Sequence, residues 1–369
     1  MAGRGGKSFE SQALAVYSRL EEDLRRSALS GGIDFKKPIM GELELCAKYG
    51  ISRKSVRKAL ENLTAEGLLI RVQGKGTFAA PPETRLALLA NKPLDILLAI
   101  PWFYRGTNEY DEELVVGITD YANRNGHKVE FSDHEVDPAE IIRRHKAGEL
   151  DGVIWDRPEK DYYGKPMATH AAGVPTVAVN RVIEDVPCVT NDYRGEILDT
   201  LAFLLGIGHK KLIFVNLAGI SESLSYRKEY FHEVVAELKR EQDFEALYVE
   251  CQSLDIRDEL ERTRGKGFTA MIVGGYTILG GVFSFCRTNS MEIPKDLSII
   301  CLNDSLLART FTPAVTVFTE PRATIGRRAV EAIESMACGK TIAAEPVKIK
   351  GEMIMRKSCS IPAAMRRLK

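Results

Sequence analysis

Tryptophan is scarce in this chain, with two residues in 369, and the six histidines are scattered singly. The seven cysteines (Cys46, Cys188, Cys251, Cys286, Cys301, Cys338 and Cys359) include no C-x-x-C pair. An odd, dispersed set of thiols argues against a disulfide scaffold or a zinc site and fits reduced cysteines in a cytoplasm. No apolar run approaches the roughly 20 residues of a membrane span, and the opening MAGRGGKSFES has no apolar signal segment. The phosphate loop G-x-x-x-x-G-K-[ST], the nucleophile elbow G-x-S-x-G and the zinc pair H-E-x-x-H are all missing. Net charge is missing too, at 51 basic against 51 acidic residues, but the balance is uneven. Residues 1–80 hold 14 Lys/Arg against nine acids, a surplus of +5 that leaves the other 289 at −5. A basic small end on a mildly acidic body fits a nucleic-acid reader attached to something else.

That basic end is dominated by residues 51–78, ISRKSVRKALENLTAEGLLIRVQGKGTF. Ser52 is a strong N-cap residue, and Val56, Leu60 and Leu63 follow at i, i+4 and i+7 to make one buried helix face. Lys54, Arg57, Lys58 and Glu61 fall away from that face, with Arg53 and Ser55 at its flanks. Cations around the positive end of a helix dipole repel one another, and a polyanion relieves that repulsion. Gly67 stops the helix, and two short strands follow around the turn QGKG. Upstream, residues 9–29 predict a first helix with Leu14, Tyr17, Leu20, Leu24 and Ala28 on one stripe, and residues 42–49 a second, with Gly50 as the turn. Three helices with a hairpin read as a winged helix-turn-helix.

Here the sequence resembles the DNA-binding domain of the GntR family, over residues 12–79. The signature is Ser52-Arg53-Lys54-Ser55-Val56-Arg57-Lys58-Ala59-Leu60, then Leu63 and Glu66-Gly67-Leu68, with the wing Gly74-Lys75-Gly76-Thr77-Phe78. The resemblance implies that Arg53, Lys54, Ser55, Arg57 and Lys58 touch base edges and phosphates of double-stranded operator DNA. It also implies that Gly74, Lys75 and Gly76 enter the neighbouring minor groove. One departure stands out: the family's Leu-Pro-Ser-Glu-Arg-Glu-Leu is Ile39-Met40-Gly41-Glu42-Leu43-Glu44-Leu45 here. Gly41 replaces the capping Ser and Leu43 the contacting Arg.

Residues 81–93, which begin Pro81-Pro82 and end at Pro93, read as a linker between a reader at 1–80 and a core at 94–369. In the core, strands expected at 94–101, 127–133, 151–156, 175–180, 211–216, 245–250, 268–274, 297–303 and 315–319 alternate with helical stretches. Short apolar runs each followed by a helix imply an α/β fold with doubly wound parallel sheets. About 250 residues of this pattern suggest two lobes with a ligand cleft between strand carboxyl ends.

This core resembles the effector-binding domain of the LacI/GalR family, which shares the fold of periplasmic sugar-binding proteins. The markers are Asp151-Gly152-Val153-Ile154, Gly173-Val174-Pro175, Asn180-Arg181, the run from Leu205-Gly206 to Phe214, Ile293-Pro294, Asn303-Asp304, and Glu320-Pro321. A GntR-type reader on such a core resembles the arabinose-repressor-type chimeras. The resemblance places Trp102, Tyr104, Glu109, Trp155, Arg181, Asp192, Arg227, Tyr276, Asn303 and Glu320 around an effector, most plainly a sugar. Sugar hydroxyls need paired donors and acceptors with an apolar face to stack on. For several of these positions a plain structural role stands beside the functional one: Trp155 and Tyr276 as packing aromatics, and Asp192 as a helix cap. The expectation is a cytoplasmic, homodimeric transcription regulator, a repressor, without cofactor or metal. The alternative is an α/β enzyme acting on a sugar-like substrate with an accessory DNA-binding domain.

Overall fold

The computed structural model describes residues 6–29, 32–81, 84, 92–101, 109–218 and 222–366. The first unit holds α1 (Gly6–Leu29), α2 (Glu42–Tyr49) and α3 (Arg53–Ala65). Their apolar stripes close one core from Leu20, Leu24 and Ala28 of α1, Leu45 of α2, and Val56, Leu60 and Leu63 of α3. Each fully buried leucine here contributes roughly 1.5–3 kcal/mol relative to exposure. Gly50 takes φ 67° to turn α2 into α3. After α3, β1 (Leu69–Val72) and β2 (Gly76–Ala79) pair antiparallel, with Leu69 opposite Ala79 and Val72 opposite Gly76. Ile39 N–H donates to the Thr77 carbonyl at 2.8 Å and so ties the approach to α2 onto this wing. Most of the linker, at residues 82–83 and 85–91, and the expected ligand residues Trp102 and Tyr104 lie outside the described residues.

The core then runs β3 (Asp95–Ile100), α4 (Glu109–Arg124), β4 (Lys128–Asp133), α5 (Pro138–Lys146), β5 (Gly152–Asp156), α6 (Gly164–Ala171), β6 (Thr176–Val179) and β7 (Cys188–Asn191). Next come α7 (Tyr193–Gly206), β8 (Lys211–Leu217), α8 (Glu222–Leu238), β9 (Glu245–Cys251), α9 (Arg257–Glu261), β10 (Ala270–Val273), α10 (Leu279–Thr288), β11 (Ser298–Cys301), α11 (Leu306–Thr310) and β12 (Thr316–Phe318). The chain closes with α12 (Arg322–Ala337), β13 (Val347–Ile349), β14 (Met353–Ile354) and α13 (Ala363–Arg366).

Two six-stranded sheets result, in the orders β13-β7-β6-β5-β3-β4 and β14-β12-β11-β10-β8-β9. The first is parallel throughout, and the second is parallel except for its edge strand β14. Strands β5 and β6 are buried at every residue, which is why they read as unbroken apolar runs. The chain passes between the sheets three times, around Asp192, at residues 319–321 and at residues 350–352. After the second passage α12 returns to the first sheet, where Ile325, Ala329 and Ile333 pack with Leu114, Ile118 and Ile154. Paired glycines allow that helix to lie close to α4. A Cβ on Gly326 would fall 2.5 Å from the Leu114 carbonyl oxygen, and one on Gly117 would fall 2.2 Å from that of Ala323.

The expected alternation is present, and β7, β13, β14, α6, α11 and α13 are additions to it. β7 is a four-residue strand reading CVTN, and β13 reads VKI on an edge. Such strands are specified by the neighbour they pair with more than by their own composition.

Candidate functional site

In the reader, Ser52 caps α3: its Oγ accepts from the Ser55 backbone N–H at 3.2 Å and lies 2.9 Å from the Ser55 Oγ. The cap fixes the start of the helix and leaves Arg53, Lys54, Arg57 and Lys58 exposed. Three arginines converge on one carboxylate. Glu42 oxygens lie 3.5 Å from Arg53 Nε, 3.3 Å from an Arg57 terminal nitrogen and 3.6 Å from one of Arg71. The hydrogen bond from Arg57 holds the Glu42 carboxyl below its ordinary value, and the charges of Arg53 and Arg71 act in the same sense. Among the described residues no ion pair engages Lys54, Lys58 or Lys75. In the wing turn, Gly74 and Gly76 adopt φ 76° and 116°, conformations that favour glycine. At Gly41 a side-chain cap is missing, but its N–H donates to Glu44 Oε2 at 2.9 Å, which keeps half of a capping box. Leu43 next to it is 68% exposed.

The second cluster lies where the chain crosses between sheets. Arg227 on α8 is buried and donates to the carbonyls of Gly274 (2.8 Å) and Leu302 (2.6 Å), which follow β10 and β11. It also donates to Glu196 Oε1 (3.1 Å) and Glu320 Oε1 (2.7 Å). Asn303 Nδ2 donates to the same Glu320 oxygen at 3.1 Å, and Arg322 grips the other oxygen through two nitrogens at 3.0 and 2.5 Å. Glu196 additionally accepts from Asn191 Nδ2 at 3.2 Å. The guanidinium of Arg227 also sits 5.4 Å from the Tyr193 ring centroid. Complete burial pushes the Glu196 carboxyl up to about 8, with Arg227 pulling it the other way. Beside this network is a cavity of about 210 Å³ lined by Glu113, Tyr276, Asp304, Arg309, Thr319, Glu320, Arg322 and Ile354. A larger hollow of about 580 Å³ lies between the end of α1 and α2, remote from these strand ends. The smaller one is the stronger site, because buried charges and amides from several elements converge on it.

Of the residues expected around a ligand, Arg227, Tyr276, Asn303 and Glu320 are brought together, with the Tyr276 N–H donating to Asn303 Oδ1 at 3.3 Å. The two terminal nitrogens of Arg227 are held by Gly274, Leu302, Glu196 and Glu320. Arg181 is buried and donates to its neighbour's Asn180 carbonyl at 2.7 Å. Trp155 is buried, its ring packed in the core with Leu97, Ala99 and Val153 and 6.0 Å from that of His134 between ring centroids. Asp192 caps α7, accepting from the Gly195 N–H at 3.0 Å. Glu109 begins α4, and its side chain lies outside the described residues. Sequence reasoning missed Glu42, Arg71, Glu196 and Arg322. A Glu one turn into an apolar helix, as at Glu196, was a usable signal for a buried partner of Arg227. Among the described residues no group of His, Cys, Asp and Glu is arranged to hold a metal, and no helix is long and apolar enough to cross a membrane.

Residues 12–79 match the family of bacterial regulatory proteins of the gntR type, and residues 201–359 match a periplasmic binding protein-like domain. The chain is 24% identical to the arabinose metabolism transcriptional repressor of Geobacillus stearothermophilus, across 89% of this chain and 93% of that one. Over 75 residues it is 55% identical to the uncharacterized HTH-type transcriptional regulator YurK of Bacillus subtilis (strain 168), covering 20% of this chain and 31% of that one. Among solved structures, the lac repressor dimer bound to operator and the anti-inducer ONPF shares the fold, with a TM-score of 0.58 at 16% identity over 76% of this chain and 98% of that one. The chain thus joins a gntR-type DNA-binding domain to a periplasmic binding protein-like domain with the fold of the lac repressor core, the domain pairing of a transcriptional regulator, and is similar to an arabinose repressor over most of its length.

Proposed function

We propose that this regulator is a repressor that binds operator DNA through residues 1–80 and that a sugar held by residues 94–369 sets its affinity, with 81–93 as the connection. Base edges and phosphates meet Arg53, Lys54, Ser55, Arg57 and Lys58, while Gly74, Lys75 and Gly76 enter the minor groove. The observation that carries the switch is the buried network from Asn191 through Glu196 and Arg227 to Glu320 and Arg322. It joins the first and second chain crossings, so a ligand that alters it alters the angle between lobes. Arg181, Tyr276, Asn303 and Glu320 offer the donors and acceptors that hydroxyls need. Relatedness to an arabinose repressor supports a sugar as the effector. Two copies acting together match a palindromic operator, and the exposed Leu306 and Leu307 of α11 supply apolar surface for pairing. The regulator works in the cytoplasm, where its operator lies.

The test is a thermal-shift screen of the full chain against aldopentoses, aldohexoses, polyols and sugar phosphates. At least one sugar is expected to raise the melting temperature and to change operator affinity in the same concentration range. A panel in which no sugar shifts the melting curve removes the sugar assignment.

A further inference from the structure

Leu43 is the most exposed large apolar side chain among the described residues, and Met40, just before α2, is half-exposed. Both stand in a basic surface. Glu42, the residue before Leu43, lies within 3.6 Å of Arg53 and Arg57 on α3 and of Arg71 on the wing. The start of α2 is therefore held against the amino-terminal half of α3, the part of such a helix that meets base edges. Along α2, Leu45, Cys46 and Tyr49 pack on the core of this unit. Glu42 shares their stripe, and Leu43 stands about 100° round the helix from it. Glu44 is folded back onto the Gly41 N–H, so the outer side of this first turn carries an isobutyl group and no charge.

We infer that Leu43 packs on the C5-methyl group of a thymine in the major groove, and so is a residue that sets the operator sequence. This deepens the reading of residues 1–80 as an operator-binding unit and rests on it. A leucine held among cations makes no favourable contact with water or with phosphate. The thymine methyl is the one apolar group that base pairs present in the major groove. Arg53, Lys54, Arg57, Lys58 and Arg71 are all exposed around it. An apolar protein surface laid on Leu43 would strip water from these cations without compensating their charge. DNA brings phosphates to the cations and methyl groups to the leucine at once. A leucine neither donates nor accepts a hydrogen bond, so it cannot read the polar edges of guanine, adenine or cytosine, and it favours the base that carries a methyl.

The test uses the full chain and a duplex that it selects from a random library, with each thymine replaced singly by deoxyuridine, which removes only the methyl group. Binding is read by fluorescence anisotropy at one salt concentration. At one thymine of the half-site the replacement is expected to weaken wild type about fourfold, as for one methyl group left unburied. Leu43→Ala should weaken the thymine duplex by at least a similar factor and bind thymine and deoxyuridine alike at that position, while Leu43→Met, which keeps an apolar side chain, still tells them apart. Should the alanine variant fail to fold, the near-isosteric Leu43→Asn must lose the same distinction. A duplex in which no thymine methyl matters to wild type, or a methyl that matters equally to wild type and to the alanine or asparagine variant, overturns the inference. If no duplex is selected above the non-specific level, the operator-binding reading fails first and this inference falls with it.

Discussion

Glu42 gathers Arg53 and Arg57 of the recognition helix and Arg71 of the wing strand around one carboxylate, so their spacing is set before DNA arrives. Charges so exposed contribute little to folding, and their worth lies in orientation. Glu42→Gln should therefore leave the fold intact but lower the ratio of specific to non-specific DNA affinity several-fold, as measured by competition binding. Arg57→Ala should weaken operator binding and make the slope of log affinity against log salt shallower by roughly 0.9 for each phosphate that the guanidinium neutralises. At Glu196 the effect is on pH. Burial pushes its carboxyl up to about 8 in the fold, against an ordinary value of 4.5 when unfolded. Folding thus takes up a proton between those values, and the stability from this group is full below pH 4.5 and lost as pH rises through 8. Glu196→Gln should flatten that part of the melting-temperature profile, and a profile that keeps its slope would show that another group is responsible.

At the scale of elements, the recognition helix and wing were plain from sequence because their signals are local. Ser52 as cap, the stripe Val56, Leu60 and Leu63, and glycines in the turn each act within a few residues. Ser52→Ala should cost about 1 kcal/mol of stability in the reader, by loss of the bond to the Ser55 N–H. Gly76→Ala should perturb the wing more, since a Cβ there meets both φ 116° and Pro38 at 3.1 Å. Hydrogen exchange across β1 and β2 would report it as faster exchange at Thr77 and Phe78. Other features were hidden for physical reasons. Trp155 lies in a strand buried on both faces, where no alternation says which face a side chain takes. Asp192 reads equally as ligand contact or cap until α7 is seen to start behind it. Glu196 and Arg322 join one network only because the chain crosses between sheets near them, and sequence distance conceals that. Arg227, Asn303 and Glu320, in contrast, were legible because family motifs fix their places at helix starts and strand ends.

For the whole molecule, three crossings make a hinge that bonds across itself. Asp192 N–H donates to the Ile349 carbonyl at 3.0 Å and Thr319 N–H to that of Glu352 at 2.7 Å, linking the third passage to the other two. Lys350 pairs with Asp199 of α7 at 2.7 Å across the same joint. A joint so connected favours a few discrete lobe angles over continuous bending, and a ligand shifts their populations by its differential affinity. Coupling between cleft and reader must then be reciprocal: the factor by which sugar changes operator affinity equals the factor by which operator changes sugar affinity. The most direct measurement is fluorescence anisotropy of the full chain on a duplex selected from a random library, titrated with and without the sugar found in the screen, alongside sugar titrations with and without that duplex. The account predicts matching factors of about 5-fold or more in the two directions. Operator affinity that is unchanged by saturating sugar would contradict it.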